Sequence, residues 1–219
     1  MARRVTLNMA DRAAFNVALD EADRLVQAGG VMALPTESFY AIGAPVGPAP
    51  AQAEAIARVC RIKGRADGKP LLVLIADESQ LLSLVADVPC AARVLMQRLW
   101  PGPLTIVFPA AEGLPDDLTA GTGTVGVRWS ACPLLREVLR RTGPLTGTSA
   151  NRSGAPPART AEEVDLALGA DLDLILDGGP TPAAQPSTVV DVGGPLRVLR
   201  EGPITKVQIA AILTEVGLA

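Results

Sequence analysis

Short apolar runs alternate with segments of helical period along this chain, and glycine or proline punctuates most of the junctions. That alternation restricts the fold more than any other feature, because strands separated by helices assemble into an α/β sheet. Residues 11–28 put Phe15, Leu19, Ala22, Leu25 and Val26 on one helical face, and Gly29-Gly30 stops the pattern. Val31-Met32-Ala33-Leu34 follows as a buried-strand run ended by Pro35, so residues 35–43 form a loop delivered by a strand end. The same reading predicts helices over 51–62, 91–99, 133–141, 160–168 and 205–216. It predicts strands over 71–75, 104–108, 125–128, 145–148 and 172–176, and a closing hairpin around Gly193-Gly194-Pro195. Thr160 with Glu163 has the form of a capping box.

A length of 219 residues with 48% hydrophobic content supports one substantial core, and the prolines and glycines are dispersed, so a single domain over 1–219 is expected. The formal charge of −3 gives no global attraction to nucleic acid or membrane, so any anion site is local. Histidine is absent, which excludes Ser-His-Asp chemistry and removes the commonest metal ligand. Cys60, Cys90 and Cys132 are odd in number and set among apolar residues, as expected of reduced core thiols in a cytoplasmic protein. No apolar run has membrane-spanning length, and the first residues lack a secretory signal pattern, so a soluble, unprocessed protein with no membrane partner is expected.

Two segments carry chemistry. Lys63, Arg65 and Lys69 are interleaved with Gly64 and Gly68 and run directly into the apolar strand 71–75. A planar guanidinium and mobile ammonium groups on such a loop suit a polyphosphate. Residues 146–154, Thr-Gly-Thr-Ser-Ala-Asn-Arg-Ser-Gly, end a predicted strand with small hydroxyl and amide side chains that let a ligand approach the backbone. Ser187 to Asp191 repeats that character. Gly121, Gly123 and Gly126 satisfy G-x-G-x-x-G in spacing, but Val127-Arg128-Trp129 continues as strand where a dinucleotide site needs a helix. No Walker A sequence occurs, so a nucleotide must be held by side chains and irregular loops.

PTESFYAIG (35–43), IKGRADGKPL (62–71), LWPGPLTIVF (99–108), VGVR (125–128), SANRSG (149–154), STVVD (187–191) and LREGPIT (199–205), in this order, resemble the YrdC/TsaC family over nearly the whole chain. The resemblance implies a YrdC-like α/β fold with α+β-type mixing, in which a twisted mixed sheet with flanking helices surrounds a deep basic cavity. It implies threonylcarbamoyl-AMP synthesis from L-threonine, bicarbonate or CO2, and ATP with Mg2+, releasing pyrophosphate. The product would pass to downstream tRNA threonylcarbamoyl-transfer proteins, with tRNA or double-stranded RNA as a further contact. Carried over by position, Lys63 and Arg65 are catalytic, and Arg65, Lys69, Thr124, Ser149, Asn151 and Arg200 bind ATP. Ser38, Tyr40, Arg128, Gly147 and Ser187 bind threonine. No protein metal ligand is implied.

The chain departs from the family pattern on the amino-acid side more than on the phosphate side. Ser38 replaces a threonine and Ala41 a glycine, Leu74 stands where a histidine is common, Ser130-Ala131-Cys132-Pro133 lacks a histidine before its proline, and Pro157 replaces a serine. A YciO-like relative acting on another amino-acid or carbamoyl substrate, and an RNA-binding module using the same cavity, are therefore alternative readings. An aromatic content of 3% weighs against base stacking as a main role.

Overall fold

The computed structural model describes residues 1–64, 70–182 and 185–218. In chain order the elements are β1 (Arg3–Thr6), α1 (Arg12–Gln27), β2 (Met32–Leu34), β3 (Ala41–Gly43), α2 (Pro50–Lys63) and β4 (Leu72–Ile75). A 3-10 turn (Glu78–Ser83), α3 (Cys90–Leu99), β5 (Leu104–Pro109), α4 (Asp116–Thr119), β6 (Thr124–Trp129) and α5 (Pro133–Thr142) follow. The chain continues through β7 (Leu145–Thr146), β8 (Thr148–Ser149), α6 (Ala161–Leu168), β9 (Leu174–Asp177), β10 (Thr188–Asp191), β11 (Arg197–Arg200) and α7 (Lys206–Thr214).

The strands form two mixed sheets rather than the one anticipated, ordered β1-β9-β2-β3-β8 and β11-β10-β5-β6-β4-β7. The predicted strand 145–148 is divided between them. Leu145 and Thr146 pair with β4, whereas Thr148 and Ser149 pair with β3, so the chain changes sheets at Gly147. Two-residue strands carry too little period for sequence to separate. The same brevity hid β3 and α4, and exposed β1 has no apolar face to announce it.

Strand alternation builds two cores. In β4, Val73 and Ile75 enter a large cluster with Ile106, Phe108, Val125 and Val127, while Leu74 enters a smaller one with Phe15, Leu34, Leu139 and Leu145. The sequence just before and along β2 divides in the same way: Val31 and Ala33 go to the first cluster, Met32 and Leu34 to the second. Helix α1 supplies Phe15, Ala18, Leu19, Ala22 and Val26 to the smaller core and is capped by Asp11, whose carboxylate accepts from the Ala14 amide at 3.1 Å.

The Thr160 cap forms as expected, accepting from the Glu163 amide, but the Glu163 carboxylate reaches the Arg159 amide instead of the Thr160 amide. A reciprocal capping box opens α7 instead, between Thr205 and Gln208. Cysteine placement differs from expectation too: Cys90 is exposed, and Cys60 and Cys132 are only partly buried. Among the described residues no helix is long and apolar enough to cross a membrane.

Candidate active site

The outer face of the six-stranded sheet is the floor of a cavity of about 730 Å³, within the size range of small-molecule sites. Alternation again selects its residues. Val125 and Val127 of β6 point into the core, so Thr124, Gly126 and Arg128 line the cavity; Thr105 and Val107 of β5 and Val189 and Asp191 of β10 do likewise. The opposite wall comes from the loop after β2 (Thr36, Ser38, Phe39, Tyr40) and from Gly147 to Ser149.

The Thr36 hydroxyl shapes this loop, donating to the Phe39 carbonyl at 2.7 Å and accepting from the amides of Ser38 at 3.0 Å and Phe39 at 3.2 Å. Ser38 is thereby turned toward Arg128, whose Nη2 lies 3.5 Å from its hydroxyl. Arg128 is buried. Its Nε donates to the Gly102 carbonyl at 3.1 Å and its Nη2 to Glu37 Oε1 at 2.5 Å. Burial pushes the Glu37 carboxyl up, but the Arg128 charge, the Ser130 hydroxyl and the Ala131 amide outweigh it and hold the group below the usual carboxylate range.

Arg200 sits at the other side, with Nε and Nη2 donating to the Ser187 carbonyl at 3.0 and 2.8 Å. Desolvation lowers its pKa, and the nearby positive charge of Arg128 lowers it further. Two guanidinium groups that feel one another across a cavity are stabilised by an anion placed there. Ser187 is buried and shares a hydrogen bond of 2.8 Å with Thr105. At the rim Thr124 bonds Thr122 at 2.8 Å, and Asp191 accepts from Arg197 at 2.6 Å. Burial raises the Asp191 carboxyl, but the Gly193 amide and Arg197 bring it below its ordinary value.

Ser38, Tyr40, Thr124, Arg128, Gly147, Ser149, Ser187 and Arg200 are thus brought to one cavity. Tyr40 lines the cavity, yet it is fully buried and belongs to the larger core. Its hydroxyl is engaged elsewhere, donating to the Gly179 carbonyl at 2.8 Å and accepting from the Gly178 amide at 3.2 Å. Burial, reinforced by Asp177, pushes that phenol well above the usual tyrosine range, so it remains a neutral donor.

Lys63 and Asn151 stand behind the wall. Lys63 is buried, with Nζ bonding the Ser149 carbonyl at 2.7 Å and Asn151 Oδ1 at 2.8 Å. The Asn151 amide donates to the carbonyls of Arg152 and Ala155 at 2.9 and 2.6 Å. Arg65 and Lys69 lie outside the described residues; Pro70, next in the chain, lines the cavity.

Sequence reasoning missed Glu37, Thr36, Thr105 and Asp191. Glu37 carried one usable signal, an ionisable residue between two hydroxyl residues in a loop after a buried strand. Among the described residues no group of three or more Asp, Glu or Cys side chains is arranged to hold a metal ion.

Comparison with known proteins agrees with this architecture. The Sua5/YciO/YrdC family model, described as telomere recombination, matches residues 24–202. A threonylcarbamoyl-AMP synthase of Bacillus subtilis is 39% identical over 196 residues, spanning 88% of this chain and 56% of its own length. A putative threonylcarbamoyl-AMP synthase of Mycobacterium tuberculosis is 37% identical over 189 residues, spanning 86% of this chain and 85% of its own. The structure of P. abyssi Sua5 complexed with L-threonine superposes with a TM-score of 0.85 at 30% identity, covering 98% of this chain and 61% of that one. The chain thus spans little more than half of the Bacillus relative but most of the mycobacterial one, and it belongs to the Sua5/YciO/YrdC family.

Proposed function

We propose that this chain is an enzyme, an L-threonylcarbamoyladenylate synthase and thus a nucleotidyltransferase. It condenses L-threonine, CO2 or bicarbonate, and ATP, and its product serves tRNA modification. The observation that carries this reading is the pair Arg128 and Arg200 facing one cavity lined also by hydroxyls and by the Asp191–Arg197 pair, a recognition set for a substrate with a carboxylate and phosphates. The relatives named above, and the threonine complex of P. abyssi Sua5, support the assignment.

In the proposed reaction the neutral threonine amine attacks CO2, forming the N–C bond and losing a proton to give a carbamate. A carbamate oxygen then attacks the α-phosphorus, and the bond to the bridging oxygen breaks as pyrophosphate departs with the electron pair. Arg128 and Ser38 would fix the amino-acid carboxylate. Arg200, with Arg65 and Lys69, would neutralise the phosphates as charge builds on the leaving group. Thr124, Ser149 and Ser187 would orient the nucleotide and the carbamate by hydrogen bonds, and Gly147 would line the threonine side. Lys63 and Asn151 act from behind, fixing the Ser149 turn. Mg2+ would enter on the triphosphate, since Asp191, the one carboxylate lining the cavity among the described residues, is tied to Arg197.

The test is an amino-acid panel scored by pyrophosphate release and by the mass of the adenylate. Pyrophosphate appearing only with threonine, bicarbonate and ATP together is the expected result, and its absence with every amino acid overturns the reading. One observation favours a second reading, a YciO-like activity on another amino acid: Leu74 makes part of the cavity wall apolar. A different amino acid winning the same panel would establish it.

A further inference from the structure

We propose that Glu37 is a positioning residue: from the loop after β2 it holds Arg128 of β6 in the orientation that receives a substrate carboxylate. The role of Arg128 rests on the function proposed above; the hold exerted by Glu37 does not. Three donors converge on this one carboxylate. Oε1 accepts from Arg128 Nη2 at 2.5 Å and from the Ala131 amide at 3.1 Å, while Oε2 takes the Ser130 hydroxyl. Ser130 is fully buried and in turn accepts from the Cys132 amide at 3.2 Å, so the whole turn after β6 is fastened to Glu37.

The consequence lies in what Arg128 has left. Nε is spent on Gly102 and Nη2 on Glu37 and Ser38, whereas Nη1 has no acceptor among the described residues, and the side chain lines the cavity. A guanidinium anchored at two corners presents its third as a fixed donor, so little side-chain entropy is lost on binding. Glu37 also offsets part of the Arg128 charge, easing the repulsion between Arg128 and Arg200 before an anion arrives.

Side-chain 15N–1H spectra and L-threonine calorimetry test this together. The Arg128 Nη2–H signal is identified by its loss in Arg128→Lys. It should persist in Glu37→Gln, which keeps an acceptor at Oε1, and broaden away in Glu37→Ala and in Glu37→Asp, whose reach is one methylene shorter. Threonine affinity should fall about tenfold in Glu37→Ala and less than about threefold in Glu37→Gln, with ATP affinity unchanged. Glu37→Ala/Arg128→Lys should bind threonine no more weakly than Arg128→Lys alone, because one residue acts through the other.

An intact Nη2–H signal in Glu37→Ala, additive losses in the double variant, or equal loss of threonine and ATP binding would overturn the proposal. Should Glu37→Ala fail to fold, Glu37→Asp carries the same expectation. If the unaltered protein binds no L-threonine, the proposed function falls, and the Nη2–H signal still decides whether Glu37 holds Arg128.

Discussion

Lys63 Nζ meets Asn151 Oδ1 at 2.8 Å, joining the last turn of α2 to the turn after β8 inside the protein. The same ammonium bonds the Ser149 carbonyl, and the Lys63 carbonyl accepts from the Ser153 amide at 3.0 Å. A cation in the segment that sequence marks for phosphate is thus bonded to the turn that carries the Ser149 hydroxyl.

Lys63→Met is therefore expected to lower stability by roughly 2–4 kcal/mol, since it leaves buried acceptors without their donor. Denaturant unfolding measures it. A variant with unchanged midpoint and slope that loses only turnover would show that the ammonium acts on substrate instead.

Gly126 lies mid-strand on the cavity floor. A methyl group there would meet only Thr105 Cγ2 at 3.4 Å and Val107 Cγ2 at 3.9 Å, ordinary contacts. Gly126→Val should fold with stability within about 1 kcal/mol of the parent, because β-branched residues suit strands. Its isopropyl group would occupy the cavity, and nucleotide affinity is expected to drop at least about tenfold by calorimetry.

Gly147 faces Leu74 so closely that an added methyl would overlap the leucine side chain. Gly147→Ala should cost about 1–3 kcal/mol by overpacking and Leu74→Ala about 2–5 kcal/mol by leaving a void. The double variant should lose less than the sum by about 1 kcal/mol, which a thermodynamic cycle reads directly. Strict additivity would mean that the two do not share space.

Glu37, Asp173, Asp177 and Asp191 each carry a depressed carboxyl pKa; burial opposes the shift in every case, and neighbouring donors and cations outweigh it. For Asp173 the donors are Arg58 and the Val31 amide, for Asp177 the Gly179 amide and Arg4. The unfolded chain binds protons first as pH falls, so their stabilising contribution is complete above the ordinary values of 4.5 for Glu and 3.8 for Asp and is lost below them. Equilibrium unfolding should show little dependence on these groups from pH 7 to about 5, then a steep fall, reduced in Asp173→Asn.

The sequence by itself determined the type of the longer elements and the faces of the longer strands. Period-two alternation already separated Val125 and Val127 from Thr124, Gly126 and Arg128, because successive side chains leave a strand on opposite sides. The family motifs likewise marked most residues that reach the cavity. Only tertiary structure decided that there are two sheets, that Gly147 is the step between them, and that Lys63 turns inward. It alone brought Glu37 to Arg128, 91 positions apart in the chain. Local pattern records which side of an element is apolar; which polar groups meet depends on how the sheets cross, and that is fixed by packing the two cores together.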